Sequence, residues 1–230
     1  MKFLFIDEVT YSQKNPNFLG VGAILIDSSN YVKFKENFYG AFNGLGWKLK
    51  IEFKGKYLFS QKGDSSVSVD KRIDFIHKIA ESSKAKRNAR YTFYFAYTFK
   101  GNNTENYILL LRSILNSISK PPSKKRDKNL IALHIDRRDD LKEQKLFIEC
   151  NKGLMKKGYI LLEKPLLISS SNLTPGIVTV DILCYLKSWD VLNPEDFSLF
   201  YSQLCDINKK KLEIIRKIIS SLKNVKEIQS

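Results

Sequence analysis

Four carboxylates stand where apolar elements would exclude them. Asp7 follows Phe3-Leu4-Phe5-Ile6, Asp136 closes the run Leu130-Ile131-Ala132-Leu133-His134-Ile135, and Asp181 sits within Ile177–Cys184. Glu52 interrupts a row of lysines. A carboxylate drawn into apolar surroundings loses hydration and must be paired, protonated or bound to a cation. Acids gathered from two strand ends, an extended edge and a helix could line a site for two divalent ions, Mg²⁺ or Mn²⁺, roughly 4 Å apart. One ion would activate water and the other would stabilise a leaving oxygen, which suits phosphoryl transfer on nucleic acid.

Each acid also has a plainer use. Asp7 could cap the turn after the first strand, Asp136 could pair with Arg137 or Arg138, and Glu52 could pair with Lys50 or Lys54. Asp181 is the hardest to explain in this way, because a helix so rich in apolar residues gains nothing from an unpartnered acid. Glu8 points away from Asp7 if the strand continues past it. Asp27, Asp70, Asp139 and Asp140 read as surface or capping acids. His134 shares the strand face of Asp136 and reads as a core histidine, with a proton relay as the alternative.

Hydrophobic periodicity supplies the elements that must position these side chains. Strands are predicted over residues 2–7, 18–26, 91–99, 130–136, 159–163 and 166–170. Residues 48–56 alternate, with Leu49, Ile51 and Phe53 on one face and Lys48, Lys50, Glu52, Lys54 and Lys56 on the other, and so read as an extended segment. Helices are predicted over 31–43, where Phe34, Phe38 and Phe42 recur every four residues, and over 69–82, 103–119 and 139–157. A further helix is opened by Thr174-Pro175-Gly176 and runs to about residue 189, followed by helices over 194–205 and 209–225. The order of elements predicts a single α/β domain over residues 1–230, with 191–230 as a helical C-terminal extension.

Ile6-Asp7-Glu8, Glu52-Phe53-Lys54-Gly55, His134-Ile135-Asp136 and Val180-Asp181-Ile182-Leu183, in that order, resemble a bacterial family filed as domain of unknown function 3800. The resemblance spans about Lys2 to Trp189. Its members begin with an apolar strand ending Asp-Glu-Ser-Gly and carry Ala-Asp-Leu in a late helix. Here Val9-Thr10 replaces Ser-Gly, and Val180 replaces the small alanine. The resemblance implies a ribonuclease H-like mixed β-sheet flanked by helices, and an Asp-Glu-Asp-Asp site carried by Asp7, Glu52, Asp136 and Asp181 that holds two Mg²⁺ or Mn²⁺ ions. It further implies a nuclease whose hydrolysis leaves a 3′-hydroxyl and a 5′-phosphate, with Lys54 near a phosphate or a metal-bound acid. Fold analogy tilts the substrate towards RNA or an RNA-containing hybrid.

Composition agrees with a polyanionic partner. The 230-residue chain has 39 Lys plus Arg against 24 Asp plus Glu, a formal charge of +15, and such an excess attracts nucleic acid by long-range field and counterion release. Lys48, Lys50, Lys54 and Lys56 would position a phosphate backbone beside Glu52. Further basic runs lie at residues 84–90, 120–128 and 209–211, each with a solvated loop as the plainer reading. Trp47, Tyr57 and Phe59 are expected in the core rather than stacked on bases. Three scattered cysteines and two histidines argue against structural zinc and for reduced thiols in a cytoplasmic protein. No signal peptide or membrane span is read from the apolar pattern. The rival readings are a non-catalytic nucleic-acid-binding module and a protein-interaction subunit of a defence or mobile-element system.

Overall fold

A computed structural model describes residues 1–11, 15–60, 63–82, 91–121, 129–136, 142–168, 174–193, 206–222 and 225–229. Strands β1 (Lys2–Tyr11) and β2 (Asn15–Asp27) form an antiparallel hairpin, and β3 (Tyr91–Thr98) extends it on the far side of β2. On its other edge β1 pairs in parallel with β4 (Leu130–Asp136). The short strands β5 (Ile160–Leu161) and β6 (Leu166–Ile168) both pair with β4 in parallel. The sheet order β5-β4-β1-β2-β3, closed at the β3 edge by a parallel β7 (Val225–Gln229), is a mixed β-sheet flanked by helices, as expected from the sequence.

β1 is central because both of its faces are apolar. Leu4 and Ile6 enter one core with Leu110, Leu111 and Leu115 of α3 (Thr104–Ser117) and Leu146, Cys150 and Leu154 of α4 (Glu143–Lys157). Phe5 enters the opposite core, which holds the buried faces of α1 (Ser28–Leu45) and α2 (Val69–Ser82). α5 (Pro175–Leu192) and α6 (Asp206–Ser221) belong to the same layer. The four-residue aromatic spacing of α1 does bury Phe34, Phe38 and Phe42, each worth roughly 1.5–3 kcal/mol of apolar burial. Asp27 sits at the N-cap position of α1 but makes no side-chain cap; its carboxylate pairs with Lys2 at 2.7 Å.

Two expectations fail. Residues 48–56 are not a strand: they form turns leading into a single 3₁₀ turn at Gly55–Tyr57. Trp47 Nε1 donates to the Ile51 carbonyl at 2.7 Å and the Ile51 amide to the Lys48 carbonyl at 2.9 Å, so the chain curls back on itself instead of pairing with a sheet edge. Leu49, one of the three supposed inward residues, is 65% exposed. The C-terminal extension is also not wholly helical. Its last helix stops at Ser221 and the chain returns as β7, which covers the edge of β3 that would otherwise present unpaired backbone groups. The buried Lys187 of α5 holds this return through Asp190 and Glu227, the latter at 2.7 Å. The helix expected over 194–205 lies outside the described residues. Among the described residues no helix is long and apolar enough to cross a membrane.

Candidate active site

The site is built where the parallel ladder of β1 and β4 ends. The β1–β4 ladder ends at Ile6↔Ile135, so Asp7 and Asp136 are the next residues on adjacent strands. Alternation puts both on the face of Phe5 and His134, whose rings stack at 4.7 Å. β1 does not end at Asp7; it continues against β2, with Asp7 opposite Gly22, and Glu8 therefore takes the other face. Asp7 is buried, and its Oδ1 accepts the Glu8 amide at 2.7 Å.

α5 crosses directly above this row. A Cβ on Gly22 would fall 2.2 Å from Cys184 Sγ and 3.4 Å from Val180 Cγ2. The missing side chain at Gly22 is what lets the helix descend, and Val180, larger than the family's alanine, is accommodated over it. Asp181 follows Val180 on the helix, and its Oδ2 accepts the Gly55 amide at 2.6 Å. That bond docks the loop carrying Glu52 and Lys54, so a loop acid joins acids from two strands and a helix.

Gly55 is the contact point. A Cβ there would meet Tyr185 Cβ at 2.6 Å and backbone atoms of Asp181 and Ile182 at 3.1 Å. None of these can swing away, since they belong to the helix itself. Gly55→Val is therefore expected to displace the loop and break the Asp181 bond. The cost in stability is about 1–3 kcal/mol, read by denaturant unfolding, with a larger proportional loss in any activity that uses Glu52.

Electrostatics tie the four acids into one cluster. Burial pushes the Asp7 carboxyl well above its usual range, and repulsion from Asp181, Asp136 and Glu8 adds to it. Burial raises Asp181 to about 6, opposed by the Gly55 amide and Lys54 and assisted by Asp136 and Glu52. The Lys54 ammonium lies 3.1 Å from Glu52 Oε2 and is held in its charged form by Glu52, Asp181 and Asp136 against the cost of its own burial. The other Glu52 oxygen, Oε1, is buried with no hydrogen-bond partner among the described residues. Among those residues no three acid, histidine or cysteine side chains stand close enough together to hold a metal ion as placed. The donor set nonetheless fits a hard divalent cation: every donor is an oxygen, negative charge is in excess, and one buried carboxylate oxygen has no partner.

The four lysines around Glu52 separate. Lys54 stands with the acids, Lys48 turns towards Asp64 at 3.8 Å, Lys56 lies over the Tyr57 ring and Lys50 is exposed. Trp47 is buried edge-on against Phe53 at 4.7 Å, while Tyr57 and Phe59 pack partly buried on the core, as expected. His134 is held neutral by burial, and its Nδ1 has no hydrogen-bond partner among the described residues. Arg137, Arg138, Asp139, Asp140 and the run at 84–90 lie outside the described residues, as does most of the run at 120–128.

Sequence reading missed the device that shapes the Glu52 loop. The buried guanidinium of Arg72 donates to the carbonyls of Tyr57, Ser60, Asp64 and Val67, and lies 5.2 Å from the Trp47 ring centroid. Asp64, also buried, accepts from the Lys48 amide at 3.0 Å and from the Ser66 hydroxyl and amide, bonds that hold its carboxyl below its ordinary range. A signal was present: Arg72 falls on the same helical stripe as Phe75, Ile76 and Ile79, where an arginine is out of place without buried acceptors.

No family model matches the chain, and no curated protein matches it. Among solved structures it is similar to the ribonuclease H2 from Pyrococcus horikoshii OT3, at 14% identity and a TM-score of 0.42, covering 96% of this chain and 98% of that one. It is also similar to the RNase HII in a PCNA:RNase HII complex from Archaeoglobus fulgidus, at 10% identity and a TM-score of 0.44, covering 96% and 90%.

Proposed function

We propose that this chain is a divalent-metal-dependent nuclease that hydrolyses phosphodiester bonds in nucleic acid, with RNA or an RNA-containing duplex as the favoured substrate. The observation that carries the reading is the convergence of Asp7 and Asp136, just past the end of the β1–β4 ladder, with Asp181 of α5, which also docks the Glu52 loop through the Gly55 amide. Asp181 and Asp136 repel the buried Asp7 there, and Asp136 and Glu52 repel the buried Asp181, at a cost to the fold. A structural role accounts for none of that repulsion, whereas a cation site does. The resemblance to the domain of unknown function 3800 family supports the same assignment of residues.

Asp7, Glu52, Asp136 and Asp181 would hold Mg²⁺ or Mn²⁺, which when bound supplies an activated water and stabilises the charge on the leaving oxygen. The residues themselves have separable tasks. Asp7 and Asp136, on neighbouring rigid strands, fix the position of the reacting centre, where small misplacements are costly in rate. Asp181 both completes the acid set and anchors the Glu52 loop through the Gly55 amide. Lys54 places an ammonium beside the acids, suited to a phosphate oxygen of the substrate.

The test incubates the purified chain with labelled single-stranded RNA, single-stranded DNA, both duplexes and an RNA–DNA hybrid, in Mn²⁺, Mg²⁺ or EDTA, with Asp136→Asn alongside. Metal-dependent cleavage that falls on the order of 100-fold or more in the variant is the expected result, since even residues supporting a metal ligand change activity by roughly 10–100-fold. Equal binding by both proteins with no cleavage in any metal would replace the nuclease with a binding module.

A further inference from the structure

The face of the sheet opposite the acid cluster carries a second feature. Along α4, Lys145, Glu149, Lys152 and Lys156 recur at spacings of four, three and four and so lie on one side of the helix. Arg112 of α3 reaches across to the same side, its Nε donating to Glu149 Oε2 at 2.6 Å. Two adjoining hollows of about 310 and 250 Å³ share Glu149, the first lined also by Lys142 and Lys145, the second by Arg112, Lys152 and Lys156. Lys145, Lys152, Lys156 and Arg112 are exposed. The groove thus holds one carboxylate among several cations, and that carboxylate is kept ionised by Arg112, Lys152 and Lys145.

We infer that this α3–α4 groove is an auxiliary track for a nucleic-acid backbone, outside the hydrolytic site. From Lys145 to Lys156 the helix rises about 16 Å, enough to follow a short stretch of one phosphate backbone. Lys142 follows Asp136 by six residues, so the N-terminal end of α4 lies within about 22 Å of the end of β4. A strand leaving the reacting centre over the end of β4 meets the N-terminal end of α4 first. An anionic membrane is the less suitable partner. The apolar side of α4, through Leu146, Cys150 and Leu154, is already buried in the core, which leaves only Ile148 and Met155 as exposed large apolar residues on this helix. The choice of nucleic acid as ligand rests on the nuclease reading, but the groove can be tested apart from it.

Lys145→Gln, Lys152→Gln and Lys156→Gln are combined, with Lys33→Gln, Lys35→Gln and Lys71→Gln combined as a control of equal charge change on the opposite face. Binding to fluorescently labelled single-stranded RNA and to an RNA–DNA hybrid is measured by anisotropy in EDTA between about 50 and 200 mM salt. The groove variant should bind at least about tenfold more weakly at the lower salt and lose roughly two to three from the slope of log affinity against log salt. The control should change by less than half as much. Equal losses in the two variants, or no loss in the groove variant, would overturn the track, as would groove-dependent binding to phosphatidylserine vesicles with none to nucleic acid. Cleavage is read separately in Mn²⁺, with Asp136→Asn as the inactive blank, so that the two ideas can fail independently. Groove-dependent binding with no cleavage by the wild type removes the nuclease and keeps the track, while cleavage with unaltered binding does the reverse.

Discussion

Asp7→Asn should stabilise the metal-free protein while removing the proposed metal-dependent cleavage. The carboxyl is buried, and three other acids repel it, so its charged form is an expense of the native state alone. Asparagine keeps the shape, and its Oδ1 can still accept the Glu8 amide. Removing the charge is expected to raise the melting temperature in EDTA by about 2–6 °C, corresponding to roughly 1–2 kcal/mol in a chain of this size. The sign of the pH dependence follows. Asp7 and Asp181 are both raised above the unfolded value of 3.8, Asp181 to about 6, so the native state binds more protons than the unfolded chain across that interval. Metal-free stability therefore falls as pH rises from about 4 through about 6, by about 3 kcal/mol from Asp181 alone. Asp7→Asn should flatten that fall, because it removes Asp7's own titration. Thermal melts of both proteins across this range in EDTA check it; a variant less stable than wild type, with the fall unchanged, would mean that Asp7 is held by partners rather than repelled. Metal-dependent cleavage should drop on the order of 100-fold or more in the same variant.

Arg72→Met should have the largest effect on stability, about 3–5 kcal/mol. The guanidinium serves four carbonyls drawn from Tyr57 to Val67, and methionine, though it fills the space, leaves those buried acceptors unsatisfied. The loss should be concentrated in one place. Amide exchange should accelerate in residues 47–58, which carry Glu52 and dock Gly55 on Asp181, more than in β1 or β4. Arg72→Lys should recover only a part, because an ammonium cannot spread its donors across diverging carbonyls as a planar fork does. Uniform acceleration over the whole chain would show that Arg72 supports global stability without a particular bearing on the loop.

The strand acids and the helix acid could be read from sequence because their contexts are anomalous. Asp7, Asp136 and Asp181 each sit in a run of residues that otherwise belongs to the core. β1, β4 and α5 were legible for the same reason, their apolar runs being long and uninterrupted. The failure at Lys48–Lys56 has a physical cause. Alternation in sequence implies a strand only when a neighbouring strand can pair with it, and here the local bonds of Trp47 and Ile51 close a turn first. β7 was missed because five residues next to a strongly amphipathic helix carry too little periodicity of their own; the exposed edge of β3 decides their fate. Gly55 was visible as part of a motif, but its reason, contact with Tyr185 and the α5 backbone, needed the third dimension.

The central claim is that four acids form a cation site, and calorimetric titration of the metal-free wild type with Mn²⁺ tests it most directly, with Asp7→Asn and Asp181→Asn in parallel and no nucleic acid present. Saturable binding in the wild type, weakened at least about tenfold in both variants, is the predicted result. Absence of binding in the wild type, or binding that survives both substitutions, would contradict the account.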